Sequence, residues 1–141
     1  MTVLDTSAVV DFLLGVGAAA EVERLMVDEP EPAAPDLLVF ETLAVLRRQT
    51  LRAELSDARA TAAVGDLGDI PIDLFPSLPL RARIWTLKHN LTVADATFVA
   101  LAERLREPLA TKDAALAKAA SEHADVDVVR LGEDLRASPP Q

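Results

Sequence analysis

Short apolar runs alternate with longer helix-like stretches along this chain, and the alternation predicts its fold class. Val3 and Leu4 begin it as a buried strand ending at Asp5. Ser7 can cap a helix through Ala8, Val9, Phe12, Leu13 and Leu14, which Gly15 and Gly17 break. A second helix is predicted from Ala18 to Val27. The Pro30-Glu31-Pro32 turn leads to a strand at Ala33-Ala34, and Asp36 is the natural N-cap of a helix reaching Gln49. Ser56 caps a helix to Val64, and Ile70 to Phe75 is predicted as strand with Pro71 confined to its beginning. Leu80 to Lys88 is helical until His89-Asn90 ends it, and Thr92 starts a strongly helical segment to Arg106. A strand at Pro108-Leu109-Ala110, a helix from Ala114 to Glu122 and a strand from Val126 to Leu131 complete the series.

Strands separated by one or two helices each predict an α/β fold with a central, mainly parallel sheet covered on both faces. Ligands of such folds bind beyond the carboxyl ends of the strands. Asp5 and Asp113 both follow predicted strands, on that edge. At 141 residues the chain fits one domain, taken as 1–136, with the polar, Pro-rich 137–141 as a disordered tail.

Composition narrows the function. Half the residues are hydrophobic and only 4% aromatic, so Ala, Leu and Val must build the core. A net charge of −9 excludes a uniformly nucleic-acid-binding surface, and repels a polyanion unless metal ions or a local basic patch intervene. The absence of cysteine excludes disulfides and thiolate chemistry. No stretch reaches about 18 uninterrupted apolar residues, the usual sign of a membrane span. A soluble, cytoplasmic protein that engages no membrane is the expectation.

Four acids then stand out: Asp5, Glu41, Asp95 and Asp113. Glu41 shares a helix face with Leu37, Leu38, Ala44, Val45 and Arg48, and so interrupts an apolar stripe. A pairing with Arg47 or Arg48 would explain it blandly. Asp95 shares a face with Leu91, Phe98, Val99 and Ala102, yet Thr92-Val93-Ala94-Asp95 also resembles a capping box. Asp5 and Asp113 can each be plain N-caps. Each acid alone says little, but two at strand ends and two on inward helix faces form a specific set. An unpaired buried carboxylate is costly, so the set implies a cation. Oxygen ligands without Cys or a His pair favour Mg²⁺ or Mn²⁺ over Zn²⁺. Several carboxylates around such ions suit phosphodiester hydrolysis.

Asp5-Thr6-Ser7-Ala8, Glu41 with Arg48 seven residues on, the Leu91–Glu103 segment with Asp95, and Leu109-Ala110-Thr111-Lys112-Asp113 resemble the successive motifs of PIN domains. Length and motif order resemble the VapC toxins of bacterial type II toxin–antitoxin modules most. The resemblance covers nearly the whole chain. It implies an α/β/α sandwich, a Mg²⁺- or Mn²⁺-dependent ribonuclease site, frequent homodimers and inhibition by a VapB-like antitoxin. It carries Asp5, Glu41, Asp95 and Asp113 over as the acidic, metal-holding site, with Thr6 or Ser7 and Thr111 as supporting hydroxyls. Thr97-Phe98 departs from it, since many relatives have Tyr before the Val.

Arg48 and Lys112 are candidate RNA contacts, though a solvated face is the default for both. His89 and His123 lack ligand spacing and are taken as surface or capping residues. Trp85 and Phe98 are taken as core or interface anchors. The helices between Ala18 and Leu67 carry more apolar residues than one sheet face can bury, which marks them as the antitoxin surface. A receiver domain would want an acidic pair at the first strand and an acceptor Asp at the third, where Leu74-Phe75-Pro76 stands instead. A haloacid-dehalogenase-type phosphatase would want Asp-x-Asp, but position 7 is Ser. A catalytically silent PIN-like scaffold acting through protein partners is the alternative.

Overall fold

A computed structural model describes residues 1–28 and 31–132. Five strands, β1 (Val3–Leu4), β2 (Ala33–Pro35), β3 (Asp73–Phe75), β4 (Leu109–Thr111) and β5 (Val128–Arg130), form one sheet in the order β3-β2-β1-β4-β5. Every pairing is parallel, with Val3 opposite Ala33 on one side and Leu109 on the other. The inner strands are short and buried throughout, Val, Leu and Ala with Pro35 and Thr111 at the ends of β2 and β4, as a sheet covered on both faces requires. The tail predicted at 137–141 and the boundary at 136 lie outside the described residues, as does Pro30 of the predicted turn.

Among the described residues seven helices flank the sheet: α1 (Thr6–Leu14), α2 (Ala19–Asp28), α3 (Leu37–Leu51), α4 (Asp57–Leu67), α5 (Arg81–Thr86), α6 (Val93–Leu105) and α7 (Ala114–His123). Right-handed crossovers put α1 to α4 on one face and α5 to α7 on the other. Packing agrees: α1 meets α2, α3 and α4, while α6 lies on β1, β2 and β4. Ala96 to Ala102 of α6 are all buried, so this helix fills the centre of its layer. From β1 the chain moves first to β2 and only later returns beyond β1 as β4. That reversal leaves a crevice at the carboxyl ends of β1 and β4.

Several local expectations change. Asp5, not Ser7, caps α1, because its side chain accepts the Ala8 amide. Asp36 occupies the α3 N-cap position but makes no cap bond; its Oδ1 accepts from the Ser77 hydroxyl instead. The predicted 70–75 strand shrinks to its last three residues, since Ile72 N–H turns back onto the Ile70 carbonyl beside Pro71. The last strand is also shorter, and the helix over 80–88 divides into a 3₁₀ turn, Leu78–Leu80, and α5. Phe98 is core, as expected. Trp85 is not: it is 64% exposed, with the Lys88 ammonium 4.8 Å above its ring.

Candidate active site

The crevice is a pocket of about 320 Å³ whose walls include Asp5, Glu41, Asp95 and Asp113. The structure thus brings all four predicted acids together from four elements. Asp5 is the one that is fully buried, at 5% exposure. Its Oδ1 accepts from the Ser7 hydroxyl (2.7 Å) and the Ala8 amide (3.0 Å), and its Oδ2 from the Thr111 hydroxyl (2.5 Å). Asp113 stands exposed at the mouth, where its Oδ1 accepts the Ala115 and Leu116 amides and caps α7. Both strand-end acids are therefore N-caps as well as pocket walls. Helix amides occupy one oxygen of each carboxylate and fix its direction.

Glu41 and Asp95 are half-buried. Thr6 donates to Glu41 Oε1 at 3.1 Å, leaving Oε2 to the pocket. Among the described residues Glu41 forms no ion pair with Arg47 or Arg48, which removes the bland pairing. Its face of α3 is core only at Leu38: Ala44 is exposed, and Glu41, Val45, Arg48 and Gln49 form pocket wall. The core stripe of α3 is Leu38, Thr42 and Leu46 instead. Thr92 caps α6 by accepting the Asp95 amide, which sets Asp95 in the first turn facing the crevice.

Thr111 joins the strand ends. Its hydroxyl donates to Asp5 and accepts the Asp113 amide at 3.0 Å. Ser7 does similar work, donating to Asp5 while accepting the Lys112 amide at 3.4 Å.

Burial raises the pKa of Asp5, against the opposing bonds from Thr111, Ala8 and Ser7, and the charge of Asp113 adds to the rise. Burial is also the main cause for Glu41, with Asp95 and Asp5 contributing. Asp95 is raised by burial and then by the charges of Asp113 and Asp5. Asp5, Glu41 and Asp95 are thus pushed toward their neutral forms by burial and by neighbouring carboxylates.

The sequence reading passed over Asp11, a buried carboxylate of α1 on the same wall. Its signal was an acid amid Val9-Val10-Asp11-Phe12-Leu13. Lys112, one of the two candidate RNA contacts, gives its ammonium to Asp11 at 2.8 and 2.9 Å. Arg48, the other, lines the pocket without an ion-pair partner among the described residues.

The model for the PIN domain matches residues 2–122. Ribonuclease VapC1 of Mycobacterium tuberculosis is 41% identical over 129 residues, covering 91% of this chain and 97% of the relative. The chain is a PIN domain of the VapC family. Solved structures share its fold at low identity. PAE2754 from Pyrobaculum aerophilum superposes with a TM-score of 0.70 at 18% identity, over 95% of this chain and 85% of that one. A toxin–antitoxin complex from Klebsiella pneumoniae gives 0.58 at 18% identity, over 80% and 87%.

Proposed function

We propose that this VapC-family PIN domain is an endoribonuclease that hydrolyses RNA phosphodiester bonds with the help of Mg²⁺ or Mn²⁺. The observation that carries the reading is the meeting of four carboxylates from four elements, none of them in an ion pair among the described residues. The donor set fits a hard divalent ion, being all carboxylate and hydroxyl oxygen. Among the described residues no three acidic or histidine side chains are spaced to enclose an ion alone. Mg²⁺ commonly keeps several of its waters and takes only one or two carboxylates directly.

Asp5 and Asp113 are the direct ligands in this reading, with Glu41 and Asp95 binding directly or through water. A bound ion supplies charge for the phosphate oxygens and acidity for the attacking water. Glu41 Oε2, which Thr6 does not bond, would accept a proton from that water in this reading. Thr6, Ser7 and Thr111 hold the carboxylates in place. Arg48 offers a phosphate contact at the rim, and Lys112, held by Asp11, is the second candidate.

We also infer a VapB-like antitoxin partner and a homodimer in the cytoplasm. The relative's name and the Klebsiella complex support a toxin–antitoxin setting. Among the described residues no helix is long and apolar enough to cross a membrane. The helices between Ala18 and Leu67 expose Val39, Phe40, Leu43, Leu51 and Val64, Phe40 at 72%. Such a partner would place an Arg or Lys among the carboxylates, where the metal's charge belongs.

Purified protein should cleave single-stranded RNA with Mg²⁺ or Mn²⁺, stop in EDTA, and lose activity on Asp5→Asn. Undiminished cleavage by Asp5→Asn would sink the mechanism. Co-expression with the neighbouring gene should relieve growth arrest and yield a complex. Equal growth and no complex would leave a free ribonuclease.

A further inference from the structure

The pocket holds a second charged group whose partner is not one of the four acids. Asp11 sits in α1 at 5% exposure, and both its oxygens are engaged. Oδ2 accepts the Ala18 amide at 3.0 Å and the Lys112 ammonium at 2.8 Å, while Oδ1 accepts the same ammonium at 2.9 Å. The turn after α1 is shaped around this carboxylate. Gly17 stands there at φ 53°, and a Cβ on it would lie 2.2 Å from Asp11 Oδ2. Any side chain at 17 would displace the acid.

Lys112 is fixed by its backbone as well. Its amide donates to Ser7 Oγ, and its carbonyl accepts from Arg130 Nη1 at 2.7 Å. Only the side chain has a choice of direction. It precedes Asp113 in sequence and lines the pocket that Asp5, Glu41 and Asp95 also line. A lysine ammonium is a compact charge on a flexible stem, and four carboxylates in one pocket are its natural sink. The cause of each raised acid is burial and other carboxylates, with no cation offsetting them.

We propose that Asp11 is a positioning residue: it holds the Lys112 ammonium on the pocket wall and so keeps it from occupying the divalent-cation site. The inference rests on the metal reading above, and adds a residue that keeps the chain's own ammonium away from that site. Without Asp11, Lys112 would turn onto the acid set and compete with Mg²⁺ or Mn²⁺, as an inhibitor's basic side chain would.

The test is Mn²⁺ binding to metal-free protein, read from the electron paramagnetic resonance of free Mn²⁺. Asp11→Asn should weaken binding roughly tenfold, the lower end of what outer-shell changes cost at metal sites. Lys112→Met alone should bind Mn²⁺ at least as tightly as wild type, since the ligands are intact and the unpaired Asp11 carboxylate only adds negative charge to the pocket. The double variant should regain wild-type binding, because no ammonium remains to compete. A merely structural role for Asp11 would lower the melting temperature and give no such rescue. Wild-type affinity in Asp11→Asn, with or without a lower KM for RNA, would overturn the inference and leave the metal site standing. Weak binding that Lys112→Met does not rescue would overturn it too. No Mn²⁺ binding by the wild type would overturn the metal reading and the inference together. Asp11→Ser, which removes the same charge from a smaller side chain, replaces Asp11→Asn in this series if the amide variant does not fold.

Discussion

Two acidic pockets lie at opposite ends of the same strands. At the carboxyl end stand Asp5, Glu41, Asp95 and Asp113; at the amino end of β4 and β5 stand Glu103, Glu107, Asp125 and Asp127 with Arg106. With Asp11 the carboxyl-end pocket has five acids against four at the amino end, and their partners differ. At the amino end Glu103 takes a two-pronged bond from Arg83 (2.7 and 3.1 Å) and also accepts the Asp125 amide, while Glu107 lies 3.7 Å from the chain's amino group. At the carboxyl end the donors to Asp5, Glu41 and Asp113 are hydroxyls and amides, the Lys112 ammonium is taken by Asp11, and the charges that shift Asp5, Glu41 and Asp95 are those of other carboxylates. Acid content alone does not make a cation site. A shortage of positive partners, enforced by burial, does.

The largest effect should come from breaking the link that only one pocket has. Thr111→Val removes the buried donor to Asp5 and the acceptor for the Asp113 amide. RNA cleavage should fall by about 10–100-fold, the usual cost of removing an outer-shell partner of a metal ligand. Stability in metal-free buffer should fall by about 1–3 kcal/mol, since a buried carboxylate loses a partner. Asp125→Asn at the other end should leave the cleavage rate unchanged. Equal rates in the two variants would erase the distinction between the pockets.

A smaller effect concerns pH. Asp5, Glu41 and Asp95 have folded pKa values above their ordinary 3.8, 4.5 and 3.8. A raised acid favours folding where it is protonated, so its contribution is complete below the ordinary value and lost as pH rises through the raised one. In EDTA, melting temperature should therefore decline from about pH 4 upward, in the part of the curve these acids govern. Glu41→Gln should flatten that decline and raise the neutral-pH melting temperature by a few degrees, because Thr6 can still donate to the amide oxygen. Saturating Mn²⁺ should lift the wild type more than the variant. A variant no more stable than wild type at pH 7 in EDTA would show that the charges are not in conflict.

How much of this was legible in the chain differs between the two pockets. The convergence at the carboxyl end followed from strand-helix alternation and from acids placed just after strands, which a parallel sheet gathers on one edge. The capping roles of Asp5 and Asp113 were legible too, and they turn out to be the means by which helices aim those carboxylates. Burial was misjudged, because period 3.6 identified a shared face on α3 but not what that face met. Glu41 looks into the pocket rather than the core, and Asp113 is exposed. Asp11 was missed because its partners, Ala18 and Lys112, lie 7 and 101 residues away. The amino-end cluster was invisible for the same reason: Arg83 and Glu103 meet only when α5 packs on α6.

The smallest expected effect sharpens the contrast from the paired side. Arg83 and Glu103 form a two-pronged pair, but both side chains retain solvent access, Arg83 at 43% and Glu103 at 18%. Solvent screens such a pair and its side chains surrender rotamer freedom, so its coupling should be about 0.5 kcal/mol. A double-mutant cycle of Arg83→Met and Glu103→Gln, read by denaturant unfolding, measures it. Raising salt from 0.05 to 0.5 M should shrink it further, where "0.05 to 0.5 M" spans roughly a threefold change in screening length. The same salt change should stabilise the metal-free carboxyl-end pocket, where screening relieves repulsion instead of attraction. Opposite signs in the two pockets are the expected result, and a common sign would mean that their electrostatics do not differ in kind.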